Sequence, residues 1–219
     1  MTAKIIPVPP FDLVVFGGTG DLTLRKLLPA LYYRFRDGQM PEGSRIVAVA
    51  RGALTNWDYL AMVKEALGKH VSAADLDEAL LEKFCACLSF VHLDATKVDG
   101  WDALVKALAD GGDRPRVFYL ATAPQLFGPI CQHAAGAQLV TPQTRVVLEK
   151  PIGTDLASAR RILEDVAETE RAVSGEFHAP RGELTLTAPV LFGRLHILPV
   201  VTDFLAAYPE INVRLLLSD

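Results

Sequence analysis

Residues 11–31, Phe-Asp-Leu-Val-Val-Phe-Gly-Gly-Thr-Gly-Asp-Leu-Thr-Leu-Arg-Lys-Leu-Leu-Pro-Ala-Leu, constrain the fold more than any other stretch. The apolar run from Leu13 to Phe16 is short enough for a strand buried on both faces. It breaks at Gly17-Gly18-Thr19-Gly20, and apolar residues then recur at helical spacing: Leu24, Leu27, Leu28, Leu31. Strand, glycine turn and helix in succession can turn a helix N-terminus into an anion site. Glycine lets the backbone turn tightly and come close, while free amides and the helix dipole face the charge. The same letters also describe an ordinary strand-to-helix turn, and a bare Gly-x-x-Gly does not separate the two.

The rest of the chain repeats the alternation. Strands are expected at 45–50, 89–93, 116–121 and 145–148, with helices at 57–69, 73–88, 101–109 and 125–135. Pro29 falls inside the first helix and should kink it. Strands alternating with helices imply right-handed crossovers and a parallel sheet covered on both faces, a doubly wound α/β fold. A long amphipathic helix is expected at 155–174, then a strand at 184–187, a helix at 193–207 and a strand at 211–217. The expected domains are 1–155, a linker helix 156–179 and a partial βαβ unit at 180–219.

Composition narrows the class. With 219 residues, 50% hydrophobic and 22% charged, the chain has enough apolar side chains for a core. No apolar run approaches the ~20 residues that span a bilayer. The start, Met-Thr-Ala-Lys-Ile-Ile-Pro-Val-Pro-Pro, has no signal-peptide core. A net charge of −4 gives no general attraction to nucleic acid or anionic membranes. Three cysteines, two of them Cys85 and Cys87, make neither a disulfide framework nor a zinc site. Reduced thiols in a cytoplasmic protein are the expectation.

The full string Gly17-Gly-Thr-Gly-Asp-Leu-Thr-Leu-Arg-Lys-Leu-Leu-Pro-Ala-Leu31 resembles the coenzyme fingerprint of glucose-6-phosphate dehydrogenases. Glu149-Lys150-Pro151-Ile-Gly-Thr-Asp155 resembles that family's second signature, Glu-Lys-Pro-x-Gly-x-Asp. The resemblance covers about the first 155 residues and implies a Rossmann-like domain that binds NADP(H). It implies coenzyme contacts at Gly17, Gly18, Thr19, Gly20, Asp21 and Leu22, and at Ala123, Pro124, Glu149, Lys150 and Pro151. Arg51 ends the second strand, where an arginine suits the 2′-phosphate of NADP and a carboxylate the 2′-hydroxyl of NAD. The spacing from Gly20 to Arg51 exceeds the generic ~20 residues, and a long first helix with the 37–44 loop accounts for it. Lys150 matches the lysine that orients the sugar, so it inherits a substrate-binding role.

The family's sugar-phosphate signature and catalytic histidine have no match. Glu176-Phe-His178 shares only an acid-x-His pattern and is assigned no catalytic role. Hydroxyl oxidation needs a base, so the expectation is a truncated coenzyme domain, inactive alone, that holds glucose 6-phosphate weakly if at all. From about residue 158 the chain resembles the linker helix and opening effector-domain βαβ unit of LysR-type transcriptional regulators. That suggests an in-frame join of two families and an alternative role, a dimerisation or effector-binding module without its DNA-binding part. It also leaves a strand edge at 213–217 free for homo-oligomer contacts or aggregation. On this reading, limited proteolysis cuts first between Ser174 and Arg181 and releases a fragment that still binds NADP. Cleavage resistance there, with one unfolding transition for the whole chain, would count against two separate halves.

Overall fold

The structure, a computed structural model, describes residues 8–112, 114–150, 152, 156–173, 182–207 and 211–217. It divides into two compact units, Met1–Val173 and Ser174–Asp219.

The first unit is a five-stranded parallel sheet in the order β3-β2-β1-β4-β5. Its strands are β1 (Asp12–Phe16), β2 (Arg45–Ala50), β3 (Leu88–His92), β4 (Arg116–Leu120) and β5 (Arg145–Leu148). Alternate β1 residues enter opposite cores. Leu13 and Val15 pack with α1 (Leu28–Arg36), α2 (Asn56–His70) and α3 (Glu78–Ala86), through Tyr32, Tyr59 and Phe84. Val14 and Phe16 pack with α4 (Asp102–Leu108) and α5 (Phe127–Gly136), through Leu104, Leu108, Phe127 and Ile130. Residues of β1 are therefore buried on both faces, which is why the run shows no polar alternation.

Three local expectations change. The 73–88 helix is shorter, because the Asp77 side chain caps α3 by accepting from Leu80 N at 2.7 Å, and Leu88 already belongs to β3. Pro29 does not kink a helix midway. It sits in the first turn of α1, directly after a π turn at Thr23–Leu27. Proline has no N–H to donate, and the wider turn absorbs the missing bond. The helix expected as a linker between two units, α6 (Leu156–Val173), packs on α5 and buries Ile162 and Val166 in the Phe118–Phe127 core. An apolar stripe is the same pattern in a docked helix and in a free one.

In the second unit, β6 (Gly182–Ala188) and β7 (Ile211–Leu217) pair in parallel, from Gly182↔Ile211 to Ala188↔Leu217. Between them run α7 (Val190–Phe192), a π turn at Gly193–Ile197 and α8 (Leu198–Ala207). The βαβ unit expected there is present, and strand 213–217 is paired with β6. Among the described residues no helix is long and apolar enough to cross a membrane. Cys85, Cys87 and Cys131 form no disulfide.

The starts of the central strands share one ion cluster. Asp12, fully buried, accepts from Arg45 Nε at 2.8 Å and Nη2 at 2.9 Å. Arg114 approaches the same carboxylate at 3.5 Å, and Arg45 also pairs with the exposed Asp110. The hydrogen bonds that Arg45 donates to Asp12, and then to Asp110, hold its pKa above the ordinary value. Burial pushes the Arg116 pKa down, and its Nε has no hydrogen-bond partner among the described residues. Asp12→Ala should cost about 3 kcal/mol in urea unfolding, the low end for a broken buried pair, because Arg45 keeps Asp110. Asp21→Ala, which breaks an exposed pair with Arg25, should cost under ~1 kcal/mol.

Candidate functional site

Register places the site. Phe16 aligns with Val49 of β2 and with Leu120 of β4, so Gly17 leaves the sheet between two neighbours. Strand order reverses there, and open α/β sheets take ligands at the carboxyl ends of strands at such a point. Gly17 N and Gly18 N both donate to Val49 O, at 2.9 and 3.0 Å. Gly20 N and the buried Thr23 hydroxyl both donate to Gly17 O at 2.9 Å.

Two glycines are demanded by packing. Gly17 has φ +86°, and a Cβ there would stand 2.4 Å from Ala121 O. A Cβ at Gly18 would stand 2.6 Å from the Ala48 Cβ. The amides of Gly17 and Gly18 are engaged by Val49 O of β2 and that of Gly20 by Gly17 O, so the free amides expected to face an anion are not those of the glycines. The donors left by helix geometry are Asp21, Leu22 and Thr23, which precede the first intrahelical bond, Leu24 N to Gly20 O at 3.0 Å. An anion site at this helix N-terminus survives the correction.

Beside the turn lies a cleft of about 420 Å³. Gly17, Thr19 and Gly20 line it, with Val49 to Gly52 at the end of β2 and Leu93 to Thr96 after β3. Thr122 and Ala123, at the exit of β4, complete the wall with Leu126 and Ile130. Of the residues singled out from sequence, Gly17, Thr19, Gly20, Arg51 and Ala123 therefore share one cleft. Gly18 braces β2, and Asp21 and Leu22 open the helix. Pro124 begins a 3₁₀ turn, Pro124–Leu126, ahead of α5.

Glu149 and Lys150 follow β5 and do not line this cleft. The Tyr119 hydroxyl donates to Glu149 Oε1, so the Glu149 carboxylate is tied to β4. Burial, and then that contact, push the Tyr119 pKa up to about 12. Lys150 is exposed. Pro151 and His178 lie outside the described residues.

Sequence reading missed the loop after β3. Asp94 Oδ1 accepts from Thr96 N at 3.2 Å and from Thr96 Oγ1 at 2.7 Å. Those hydrogen bonds, with Lys97 and Arg51 adding less, hold its carboxyl below the usual range. His133 Nδ1 donates to Ala95 O at 3.1 Å and Trp101 Nε1 to Lys97 O at 2.9 Å, so this wall is pinned from beneath. The available signal was Asp94-x-Thr96 at a strand end, an Asx turn. Thr122 Oγ1, in the opposite wall, is buried with no hydrogen-bond partner among the described residues.

A parallel sheet of this order with a glycine turn at its switch point has close relatives. Residues 14–172 match the family model described as glucose-6-phosphate dehydrogenase, NAD binding domain. The chain belongs to the glucose-6-phosphate dehydrogenase family. It is 46% identical over 171 residues to the glucose-6-phosphate 1-dehydrogenase of Rhizobium meliloti, covering 78% of this chain and 35% of that one. Identity is 52% over 165 residues with the enzyme of Mycolicibacterium smegmatis, covering 73% and 33%. The crystal structure of the Mycobacterium avium glucose-6-phosphate 1-dehydrogenase superposes with a TM-score of 0.66 at 32% identity, covering 76% and 34%. The chain thus spans about a third of the length of the curated relatives it matches. The match runs through α6, beyond the 155 residues expected for the coenzyme domain.

Gly18→Ala should destabilise the dinucleotide-binding domain by about 1–3 kcal/mol, the range for forcing a methyl into a packed site. Urea unfolding of the variant against the parent chain reads this directly.

Proposed function

We propose that the first unit binds NADP(H) in the crevice between β1 and β4, in preference to NAD(H). The observation that supports this is Arg51, exposed on the cleft rim where β2 ends. In a doubly wound domain that strand end meets the adenosine ribose, and a guanidinium fork suits a phosphate there. The cleft fits such a group, because its wall holds the buried Thr122 hydroxyl, which has no hydrogen-bond partner among the described residues. On this reading the helix N-terminus at Asp21 and Leu22 takes the pyrophosphate beside Thr19 and Gly20. Ala123 and Pro124 flank the nicotinamide, and Glu149 and Lys150 border it from the end of β5.

The bound coenzyme would supply a ring that accepts hydride from a sugar carbon. Lys150 can donate hydrogen bonds to a substrate hydroxyl and orient it. The relatives are glucose-6-phosphate 1-dehydrogenases, and we propose glucose 6-phosphate as the sugar that Lys150 would meet. The two described histidines beside the cleft are each held by a carbonyl: His92 by Arg51 O at 3.0 Å, and His133 by Ala95 O. Neither is placed as a free base. For residues 182–217 a second, separate reading is an effector-domain-like unit, of which the parallel β6–β7 pair and its connecting helix supply the βαβ geometry alone.

Arg51→Glu should weaken NADPH binding by roughly 1.5–3 kcal/mol, the range for charged hydrogen bonds, and spare NADH. Equal losses for both coenzymes in a fluorescence titration would refute the assignment. The purified 219-residue polypeptide should bind NADPH yet give no steady NADPH production from glucose 6-phosphate. Without a placed base, about 10²–10⁴-fold of rate is missing. Sustained turnover that Lys150→Ala abolishes would overturn this second expectation.

A further inference from the structure

We propose that Asp94 is a specificity-determining residue that moderates the preference for a 2′-phosphate, as a fixed carboxylate in the same cleft as Arg51. The inference rests on the reading of Arg51 given above and concerns how strongly that residue discriminates.

The backbone sets the pair. Ala50 and His92 are register partners in β2 and β3, and Leu93 N donates to Ala50 O at 3.0 Å, extending the ladder one step. Arg51 and Asp94 therefore leave adjacent parallel strands, whose axes lie about 4.8 Å apart. The Arg51 carbonyl is held by His92 Nε2, so the chain at this rim is tied to β3. Asp94 is tied by Thr96, which uses one carboxylate oxygen only. The other oxygen has Lys97 Nζ at 4.0 Å, an ammonium on a largely exposed side chain. Its carboxyl is held below the usual range, so it is ionised at neutral pH.

Two effects follow from that charge, and both act on a phosphate alone. The carboxylate attracts the Arg51 guanidinium and so competes for its fork. It also repels a dianionic 2′-phosphate bound between the same walls. A 2′-hydroxyl carries no charge, so neither effect acts on it, and a carboxylate or an amide oxygen can equally accept its hydrogen bond. A cleft with Arg51 alone would favour NADP(H) strongly; with Asp94 opposing it, NAD(H) remains an acceptable second ligand. The loop is pinned by His133 and Trp101, so the carboxylate cannot swing clear without breaking the Thr96 turn.

The test is fluorescence titration of the full chain with NADPH and with NADH. Asp94→Asn keeps the oxygen that Thr96 uses and removes the charge. It should tighten NADPH by roughly two- to fivefold, the size of one solvent-screened charge pair, leave NADH unchanged, and lose its effect as salt is raised. Asp94→Ser, which also leaves an oxygen near Thr96, should move the NADPH-to-NADH ratio the same way. The proposal is overturned if NADPH binding is unchanged or weaker, or if both coenzymes shift together, as a structural role would make them. Arg51→Gln separates the two layers. If it leaves the coenzyme ratio untouched, the Arg51 reading itself fails and the Asp94 proposal falls with it. If it lowers the ratio while Asp94→Asn does nothing, only the Asp94 proposal is refuted.

Discussion

A carboxylate sealed from solvent at the start of β1 fixes where everything else in the first unit can be. Asp12 has arginine as its register partner on both sides, Arg45 in β2 and Arg116 in β4. A slip of one residue in either pairing would leave a buried negative charge facing an apolar neighbour, Ile46 or Val117, and buried unpaired charge is costly. Apolar strands buried on both faces carry little register information of their own, since one Val opposite another Val is much like the next. The ion cluster supplies it. With the starts aligned, five residues of β1 bring Phe16 level with Val49 and Leu120, and only then do Gly17 N and Gly18 N reach Val49 O. The amino-terminal edge of the sheet thus positions a site at its carboxyl edge.

Most of this architecture was legible because burial leaves a periodic trace. The five strands were readable as short apolar runs ending in turn residues, and the helices between them as stripes. Arg51 was readable because it stands at a strand end, where fold geometry gives a residue type its meaning. Other features leave no such trace. The π turn before Pro29 has the same apolar spacing as an α-helix over so few residues. The docking of α6 depends on Ile162 and Val166 meeting α5, and an amphipathic pattern names a buried face without naming its partner. Asp94 was silent for a different reason: a loop carboxylate has no period, and its importance comes from β3 ending beside β2.

The two units share one local device. Thr23-Leu-Arg-Lys-Leu-Leu-Pro29 and Gly193-Arg-Leu-His-Ile-Leu-Pro199 each form a five-residue π turn, and a helix then starts at the residue before proline. In both, the turn follows a parallel strand and a short link, so the chain enters its helix with proline close behind. The common cause is local. Proline cannot donate to the carbonyl four residues back, and its ring crowds that carbonyl. Widening the preceding turn by one residue relieves the crowding while the rest of the ladder continues. A shared turn of this kind is evidence about proline chemistry and not about common function.

The engagement of the glycine amides changes how an anion would be recognised at the β1 turn. If Gly17, Gly18 and Gly20 donate within the chain, selectivity for a phosphate cannot come from a ring of loop amides. It falls to the first helical turn, where three donors point the same way and the macrodipole adds its partial positive charge. Asp21 sits in that turn, and a carboxylate there would normally compete with a bound phosphate for the same amides. Here it is turned to Arg25, one turn along, at 3.3 Å on an exposed surface. The pairing draws the carboxylate along the outside of the helix and away from its end. An exposed ion pair contributes little stability, so its consequence is positional. The acid can complement the dipole without occupying the place where a ligand's charge would sit, and the helix end stays free to bind.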